Sequence, residues 1–266
     1  MARRIRLDAE LVRRGMARSR EHAATLIAEG RVLLKGSVAQ KAAAMVDPAD
    51  AVHVTEAAED DYVSRGGHKL AGALEAFVPQ GLAVAGRRCL DAGASTGGFT
   101  DVLLRNGVAQ VVAVDVGYGQ IAWSLRTDDR VVVMERTNVR TLTPEAIGGT
   151  VELTVADLSF ISLKLVLPAL AACTDGDLVL MVKPQFEVGK ERVGSGGVVR
   201  DPELRAEAVF DVAKAAFALG LGTAGVTVSP LPGPSGNVEF FVWLRRDAPP
   251  PDEAQIHAVV SDRVSG

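Results

Sequence analysis

A glycine-rich turn occupies the middle of the sequence, Leu90-Asp-Ala-Gly-Ala-Ser-Thr-Gly-Gly-Phe-Thr100. An apolar segment predicted as a strand, Arg88–Ala92, leads into this turn, and a predicted helix, Gly98–Asn106, leads out of it. Glycines at a strand-to-helix turn allow the backbone to pass close to a ligand and expose the amide groups of the helix N-terminus. The turn therefore predicts an α/β fold with a ligand site at the end of a strand.

Strands alternate with helices along the chain from Tyr62 onward, a pattern typical of a parallel sheet with helices on both faces. The other predicted parallel strands are Gln110–Val116, Arg130–Met134, Val151–Asp157 and Asp177–Lys183. The other predicted helices are Lys69–Phe77, Tyr118–Arg126, Ser162–Ala172 and Glu203–Leu219. A closing antiparallel hairpin is predicted for Ala224–Pro230 and Val238–Leu244, which flank a turn rich in glycine and proline. Beyond Arg246 a proline run breaks the chain before a loosely docked helix, predicted over Asp252–Val264.

The first sixty residues predict a separate small α+β module. Its predicted elements are helices over Leu7–Gly15 and Arg20–Glu29, an N-cap at Ser19, a hairpin over 31–41 and a strand over Ala51–Thr55. The acidic run Glu56–Asp61 has the composition of a linker. We therefore divide the chain into a module (1–59), a linker (60–63), a large α/β domain (64–246) and a C-terminal tail (247–266).

The net charge of −4 conceals an uneven distribution of charge along the chain. Residues 1–41 hold ten basic and four acidic side chains, a net charge of +6, which leaves −10 for the remainder. Phosphate binding depends on local charge, so a basic module joined to an acidic body favours a nucleic-acid partner. A solvated, arginine-rich helical surface is the alternative.

The composition excludes several classes of protein. Hydrophobic residues make up 48% of the chain and charged residues 23%, as in a globular protein and unlike a disordered one. No apolar run approaches the roughly 18 residues of a membrane span, and the charged N-terminus is unlike a signal peptide. The two cysteines, Cys89 and Cys173, allow no disulfide scaffold and have no histidine or cysteine at metal-binding spacing. We therefore expect a cytoplasmic protein without a metal site.

The spacing of the glycines indicates the kind of ligand. Gly93, Gly97 and Gly98 depart from the G-x-G-x-x-G pattern of a pyrophosphate-binding turn. Asp115 ends the next predicted strand about 20 residues on, where a carboxylate can accept hydrogen bonds from both ribose hydroxyls. These features favour S-adenosylmethionine over a nicotinamide cofactor, and a turn that only permits tight packing is the alternative. The expected cofactor-binding residues are Asp91, Gly93, Ala94, Ser95, Gly97, Gly98, Phe99, Asp115 and Asp157.

Four charged residues lie where apolar side chains would be expected. Asp157 and Lys183 close two predicted strands, Glu239 lies in the last strand, and Lys69 opens the helix before the sheet. The ligand crevice of an open α/β sheet lies at the carboxyl ends of its strands, and a buried lysine is costly unless it is paired. We interpret the four residues together as a catalytic device. In it, a ribose hydroxyl attacks the sulfonium methyl group, and a lysine takes or stabilises the proton that leaves the hydroxyl. Two structural salt bridges are the alternative.

These residues carry a resemblance to known families. The set Lys69, Asp157, Lys183 and Glu239 resembles the Lys-Asp-Lys-Glu tetrad of FtsJ-type ribose 2′-O-methyltransferases, and the leading segment resembles an S4 RNA-binding domain. Five stretches are similar to the TlyA family: Ser64–Leu70, Leu90–Thr100, Asp157–Ser162, Val182–Glu187 and Ser235–Glu239. The resemblance implies a Rossmann-like class I fold with a seven-stranded, mostly parallel sheet, and S-adenosylmethionine as cofactor. It also implies 2′-O-methylation of a cytidine in 16S rRNA, with 23S rRNA as a second candidate substrate.

The basic module and the resemblance together imply contacts with rRNA or ribosomal subunits. The expected RNA-binding residues are Arg4, Arg6, Arg18, Arg20, Arg65 and Phe186. For Phe160 and Phe240, core packing is favoured over a base-stacking wall around Phe186, and the glycine-rich run 187–200 is either a lid over RNA or a plain loop. A non-catalytic RNA-binding protein and a membrane-active haemolysin are the alternative functions, although the basic helices lack the strong apolar face that membrane binding needs.

Overall fold

The structure, a computed structural model, describes residues 4–17, 20–28, 30–55 and 62–261. Tertiary contacts divide the chain into two units, 1–65 and 66–266. The N-cap predicted at Ser19 and the RNA contact predicted at Arg18 lie outside the described residues. Within the described part of the chain, no helix is long and apolar enough to cross a membrane.

The N-terminal unit consists of short elements around a small apolar core. Its elements are β1 (Ile5–Arg6), α1 (Leu7–Arg13), α2 (Arg20–Ala28), β2 (Val32–Leu34), β3 (Ser37–Val38), β4 (Met45–Val46) and β5 (Val52–Val54). β1 pairs with β4, and β2 lies between β3 and β5, all antiparallel. Leu11 of α1 and Leu26 of α2 lie in one buried cluster, which confirms both predicted helices. β1 and β4 were not predicted, because strands of two residues are too short to leave a periodic signal.

A seven-stranded sheet forms the centre of the second unit. Its strands are β6 (Arg88–Ala92), β7 (Gln110–Val114), β8 (Val131–Met134), β9 (Val151–Ala156), β10 (Thr174–Val182), β11 (Gly222–Val228) and β12 (Phe240–Arg245). Their order across the sheet is β11-β12-β10-β9-β6-β7-β8. β12 runs antiparallel to both of its neighbours, whereas all other pairs are parallel. This arrangement confirms the predicted mostly parallel sheet and its closing hairpin.

Helices cover both faces of this sheet. They are α3 (Arg65–Phe77), α4 (Gly98–Arg105), α5 (Trp123–Arg126), α6 (Leu163–Cys173), α7 (Pro184–Glu187), α8 (Pro202–Phe217) and α9 (Glu253–Ser261). Successive residues of a strand point to opposite faces of a sheet. Phe240 of β12 joins the core cluster that contains α6, α8 and α9 residues, whereas the next residue, Phe241, packs against Phe99 of α4. The predicted layers are therefore confirmed.

Two predicted helices differ from the observed ones. The helix predicted over Tyr118–Arg126 is reduced to the single turn of α5. Gly119 has a φ of 65° and donates a backbone hydrogen bond to the Glu135 carboxylate, which holds the preceding segment in turns. The C-terminal helix α9 is not loosely docked, because Ile256 and Val260 are buried in the main core.

Three of the four charged residues of the predicted device lie just outside the observed strands, and the fourth lies inside its helix. Asp157 and Lys183 directly follow β9 and β10 instead of closing them, and Glu239 directly precedes β12 instead of lying in it. Lys69 lies one turn into α3, which begins at Arg65. The apolar alternation that predicts a strand continues past the last ladder hydrogen bond, so such ends shift by one or two residues.

Candidate active site

The glycine-rich turn between β6 and α4 brings the backbone against neighbouring segments. Gly93 has a φ of 87°, and a Cβ atom there would lie 2.6 Å from the carbonyl oxygen of Asp157. Gly97, with a φ of 97°, directly precedes α4, and a Cβ atom there would clash with the Leu125 side chain. The close approach of backbone at Gly93 and the positive φ at both positions therefore require glycine.

A pocket lies beside this turn at the carboxyl ends of β6, β7 and β8. Asp115, directly after β7, accepts hydrogen bonds from the backbone N–H groups of Ser95 (2.8 Å) and Gly117 (2.6 Å). Each carboxylate oxygen has more than one acceptor site, so Asp115 can also accept hydrogen bonds from a ribose. The residues that line the pocket are Ala94, Ser95, Ala113, Asp115, Gly117, Gln120, Ile121, Val133 and Glu135.

Several of these lining residues are missing from the sequence prediction. Val133 and Glu135 lie at the end of β8. The rule that ligands bind at the carboxyl ends of parallel strands, which was applied to Asp157 and Lys183, could therefore have found them. Gln120 and Ile121 belong to the segment that was wrongly predicted as helix. Gln120 and Ile121 were missed because this segment was predicted as a helix, whereas both residues lie outside any helix in the structure.

Asp91 is a fully buried carboxyl group near the same edge of the sheet. Thr100 donates a hydrogen bond to its Oδ2 atom (2.7 Å), and its Oδ1 atom has no hydrogen-bond partner in the part of the chain that the structure describes. Burial, with smaller contributions from the charges of Asp157 and Asp115, raises the pKa of Asp91 to about 7 despite the hydrogen bond from Thr100. Three neighbouring carboxyl groups favour a positively charged ligand.

The four residues of the predicted device form two ion pairs. Lys69 Nζ donates a hydrogen bond to Glu239 Oε2 at 2.5 Å, and both side chains are buried. Lys183 Nζ lies 2.5 Å from Asp157 Oδ1, in an ion pair that lacks the angles of a hydrogen bond. It also donates a hydrogen bond to Ser159 Oγ at 2.9 Å. Lys183 is buried, whereas Asp157 is half-buried and Ser159 is exposed.

Strand register places the two ion pairs side by side. Val182, the last residue of β10, pairs with Phe240, the first residue of β12, so Lys183 and Glu239 each stand one step beyond this pair. Opposite residues of antiparallel strands have Cα atoms about 5 Å apart, a distance that both long side chains can span. Asp157 directly follows the adjacent strand β9. The structure thus brings the predicted tetrad together at one edge of the sheet.

Two aromatic rings follow the Asp157 and Lys183 positions along the chain and pack on each other. Phe160 is 91% exposed and has a backbone φ of 65°, and its ring centre lies 5.4 Å from that of Phe186. A left-handed φ is strained for a bulky residue, and such strain accumulates at functional sites. Core packing, the favoured interpretation, is therefore wrong for Phe160, whereas it is confirmed for Phe240, which is fully buried.

The glycine-rich run 187–200 is attached to its surroundings near both ends. Glu187 accepts hydrogen bonds from Ser162 Oγ (2.5 Å) and from the backbone N–H of Leu163 (2.7 Å), and burial raises the pKa of this carboxyl group. The buried Val199 donates its backbone N–H to Asn237 Oδ1 at 2.9 Å. The run is therefore anchored near both ends, and its role as a lid over RNA stays a prediction.

The other predicted contact residues have different surroundings. In the N-terminal unit, Arg4 is exposed, and Arg6 and Arg20 both form ion pairs with Asp8. Arg65 is the first residue of α3.

Comparison with known proteins defines the class to which the chain belongs. A family model described as FtsJ-like methyltransferase matches residues 62–246, and a model of the S4 domain matches residues 5–52. The chain therefore belongs to the FtsJ-like methyltransferases and carries an S4 domain before the methyltransferase part. Within this class it is a member of the TlyA family. It is 66% identical to the 16S/23S rRNA (cytidine-2′-O)-methyltransferase TlyA of Mycobacterium tuberculosis over 247 residues, 92% of this chain and 91% of that protein.

Two further comparisons agree with this family. The chain is 35% identical to Hemolysin A of Brachyspira hyodysenteriae over 89% of this chain and 98% of that protein. The match to a solved structure of a protein from Streptococcus thermophilus spans 100% of this chain and 97% of that protein's chain, with a TM-score of 0.76 and 38% sequence identity. The predicted fold class and family are confirmed.

Proposed function

We propose that this protein transfers a methyl group from S-adenosylmethionine to the 2′-oxygen of a cytidine ribose in 16S rRNA, and that a cytidine of 23S rRNA is a second substrate. The observation that carries the proposal is the pairing of two buried lysines with two carboxylates, Lys69 with Glu239 and Lys183 with Asp157, at the carboxyl edge of the parallel strands. The same activity is named for the Mycobacterium tuberculosis relative.

S-adenosylmethionine fits the residues at this edge. The pocket offers apolar side chains, Ile121 and Val133, to an adenine ring and the Asp115 carboxylate to ribose hydroxyls. Asp91 Oδ1, without a partner among the described residues, offers an acceptor to the ammonium group of the amino-acid end. When bound, this cofactor supplies the methyl group, and its positive charge suits the nearby carboxyl groups better than an anionic pyrophosphate would. The other proposed contacts are Gly93, Ala94, Ser95, Gly97, Gly98, Phe99 and Asp157.

Lys183 is the residue that we assign to the reacting hydroxyl. Asp157 neutralises its buried charge, and Ser159 accepts one of its three N–H donors, so the ammonium group is held in one direction. Another N–H would donate to the ribose 2′-oxygen and hold it in line for attack. The C–O bond would form as the methyl–sulfur bond of the sulfonium breaks, and the hydroxyl proton would pass to the Asp157 carboxylate. Lys69, held by Glu239, is a second donor to the ribose.

We assign the cytosine base of the target nucleotide to the pair of rings formed by Phe160 and Phe186. Proteins that read RNA stack splayed-out bases on aromatic side chains, and an exposed phenylalanine with a left-handed backbone has no role in the core. Ser159 directly precedes Phe160, so the group that holds Lys183 and the ring proposed for the base belong to one short loop.

We assign residues 1–59 to an rRNA-docking domain, 60–63 to a linker, 64–246 to the methyltransferase domain and 247–266 to a tail. The net charge of +6 over residues 1–41 and the S4 match support the docking role. The proposed phosphate contacts are Arg4, Arg6, Arg18, Arg20 and Arg65. Because ribosomal subunits are the proposed partners, we propose that the protein works in the cytoplasm.

Methylation of purified ribosomal subunits tests the proposed activity. Wild type and Lys183→Ala each receive methyl-labelled S-adenosylmethionine with 30S or 50S subunits, and the modified nucleotide is located by its resistance to alkaline hydrolysis. We expect the wild type to label a cytidine ribose and Lys183→Ala to be at least about 100-fold slower. Calorimetry should find cofactor affinity little changed in the variant, because Lys183 holds the substrate hydroxyl.

Lys164→Ala is the matched control, because Lys164 forms an ion pair with Asp211 outside the tetrad. Equal labelling by Lys183→Ala and the wild type, or label in a base, contradicts the mechanism. Binding of subunits without any labelling by the wild type would identify the protein as a non-catalytic RNA-binding protein.

A further inference from the structure

Asp8 brings two arginines together on the N-terminal unit. Its Oδ2 atom accepts hydrogen bonds from Nη2 of Arg6 (2.7 Å) and from Nη2 of Arg20 (3.1 Å), and its Oδ1 atom accepts one from Nε of Arg6 (3.1 Å). Arg6 belongs to β1, Asp8 to α1 and Arg20 to α2. One carboxylate therefore joins three elements of the unit.

The carboxylate is buried, whereas both arginine side chains are accessible. The Asp8 side chain is 6% exposed, against 47% for Arg6 and 58% for Arg20. The hydrogen bond from Arg6 makes the largest contribution to lowering the pKa of Asp8 to about 2, so the carboxylate is charged at neutral pH. It neutralises one of the two positive charges and leaves the cluster with a net charge of +1 at the surface.

The spacing of the two guanidinium groups suits a single phosphate. Their Nη2 atoms contact the same oxygen, so they are no more than about 6 Å apart, a distance at which two cations repel each other. Arginine donates paired hydrogen bonds to phosphate oxygens. Side chains that already converge lose less conformational freedom when the phosphate binds. Asp8 offsets the repulsion and sets the spacing before RNA arrives.

Glu10, on the same helix, pairs with two arginines in a different way. One of them, Arg14, is only 18% exposed and donates hydrogen bonds both to Glu10 (2.6 Å) and to the carbonyl oxygen of Pro48 (2.9 Å). That arrangement ties the helix to a loop within the unit. Arg13 and Arg14 also converge on one buried oxygen of Glu10, but only Arg13 is exposed there, whereas at Asp8 both Arg6 and Arg20 are about half exposed.

We propose that Asp8 is a positioning residue for RNA docking, which holds Arg6 and Arg20 as a preformed site for one backbone phosphate of RNA. The proposal rests on the proposed function, since it assumes that the N-terminal unit docks on rRNA.

The direction of the Asp8→Asn effect separates this role from simple electrostatics. If only net charge mattered, removal of an acidic residue from a basic surface would strengthen RNA binding. We expect Asp8→Asn to weaken the binding of the full-length protein to a 16S rRNA transcript about fivefold or more at near-physiological salt. Asp50→Asn is the matched control: Asp50 lies in the same unit and pairs with one cation, Lys35, at 2.8 Å. This control should bind the transcript as tightly as the wild type or more tightly.

Arg6→Lys keeps the positive charge but cannot form the bidentate pair of hydrogen bonds that Arg6 donates to the Asp8 carboxylate. It should weaken RNA binding as Asp8→Asn does, and it decides the question even if Asp8→Asn unfolds the N-terminal unit. Wild-type or tighter binding by a folded Asp8→Asn, or wild-type binding by Arg6→Lys, overturns the proposal. If the double variant Arg6→Ala/Arg20→Ala also binds like the wild type, the docking role of the N-terminal unit fails as well.

Discussion

Replacing one member of the Lys69–Glu239 pair should destabilise the methyltransferase unit strongly, whereas replacing both should not. The two side chains are 8% and 1% exposed, and their charged atoms lie 2.5 Å apart. Truncation of one partner leaves the other charge buried without a counter-ion, which costs about 3–5 kcal/mol. Replacement of both by apolar residues of similar volume removes the desolvation cost together with the attraction, and such changes are often neutral or stabilising.

Lys69→Met and Glu239→Met should each lower the free energy of unfolding by about 4 kcal/mol, and the double variant should recover it. For a unit of this size, that loss corresponds to a melting temperature about 10 °C lower. Urea denaturation followed by tryptophan fluorescence suits the measurement, because Trp123 and Trp243 both lie in this unit and Trp243 is buried. All three variants should lose methyl transfer.

The double variant distinguishes a catalytic pair from a structural one. A pair kept for chemistry predicts a double variant that is stable but inactive. A double variant destabilised by about the sum of the single losses, or a single variant that loses less than about 1 kcal/mol, would refute the reasoning. Lys164→Met is the control, because the ion pair of Lys164 with Asp211 is partly exposed and should contribute less than about 1 kcal/mol.

Asp91, Phe160 and Glu187 each allow a test of one part of the site. Because burial raises the pKa of Asp91 to about 7, the folded state binds this proton more tightly than the unfolded state does. The free energy of unfolding should therefore fall by about 3 kcal/mol as the pH rises from about 4 to about 7. Asp91→Asn should abolish that fall in denaturation curves, and an unchanged pH dependence would count against the buried acid. Phe160→Gly should raise the KM for ribosomal subunits at little cost in stability. Relief of the left-handed φ offsets the flexibility that glycine adds to the unfolded chain. A free energy of unfolding lower by more than about 1 kcal/mol in thermal melts would contradict the strain argument. Glu187→Ala removes the acceptor for Ser162 and Leu163 and should lower kcat about tenfold by loosening the loops that carry Asp157 and Lys183. Glu187→Gln, which can still bond to both groups, should recover most of that rate, and equal rates for the two variants would exclude a positioning role.

Much of the larger unit could be predicted from the sequence because its elements are local and periodic. β6 begins and ends at the predicted residues, Arg88 and Ala92, and α4 ends one residue earlier than predicted. The glycine-rich turn and Asp115 also predicted the position of the pocket, because the carboxyl ends of parallel strands share one edge of a sheet. The prediction of a full helix before Arg126 was wrong because backbone contacts to Glu135, from the next strand end, override the local helical pattern.

Sequence alone therefore determined the kind of fold, the edge of the sheet at which the pocket lies and the four charged residues that stand out near it. Only the tertiary structure decided which of those charges meet. Lys69 and Glu239 are 170 positions apart, and neither segment contains a pattern that selects the other. Burial along one strand or helix repeats with the period of that element and can be recognised in its sequence. Ion-pair partners come from different elements, as do the two arginines that pair with Asp8. Strand register and helix packing determine these partners, and no single segment of sequence encodes either one.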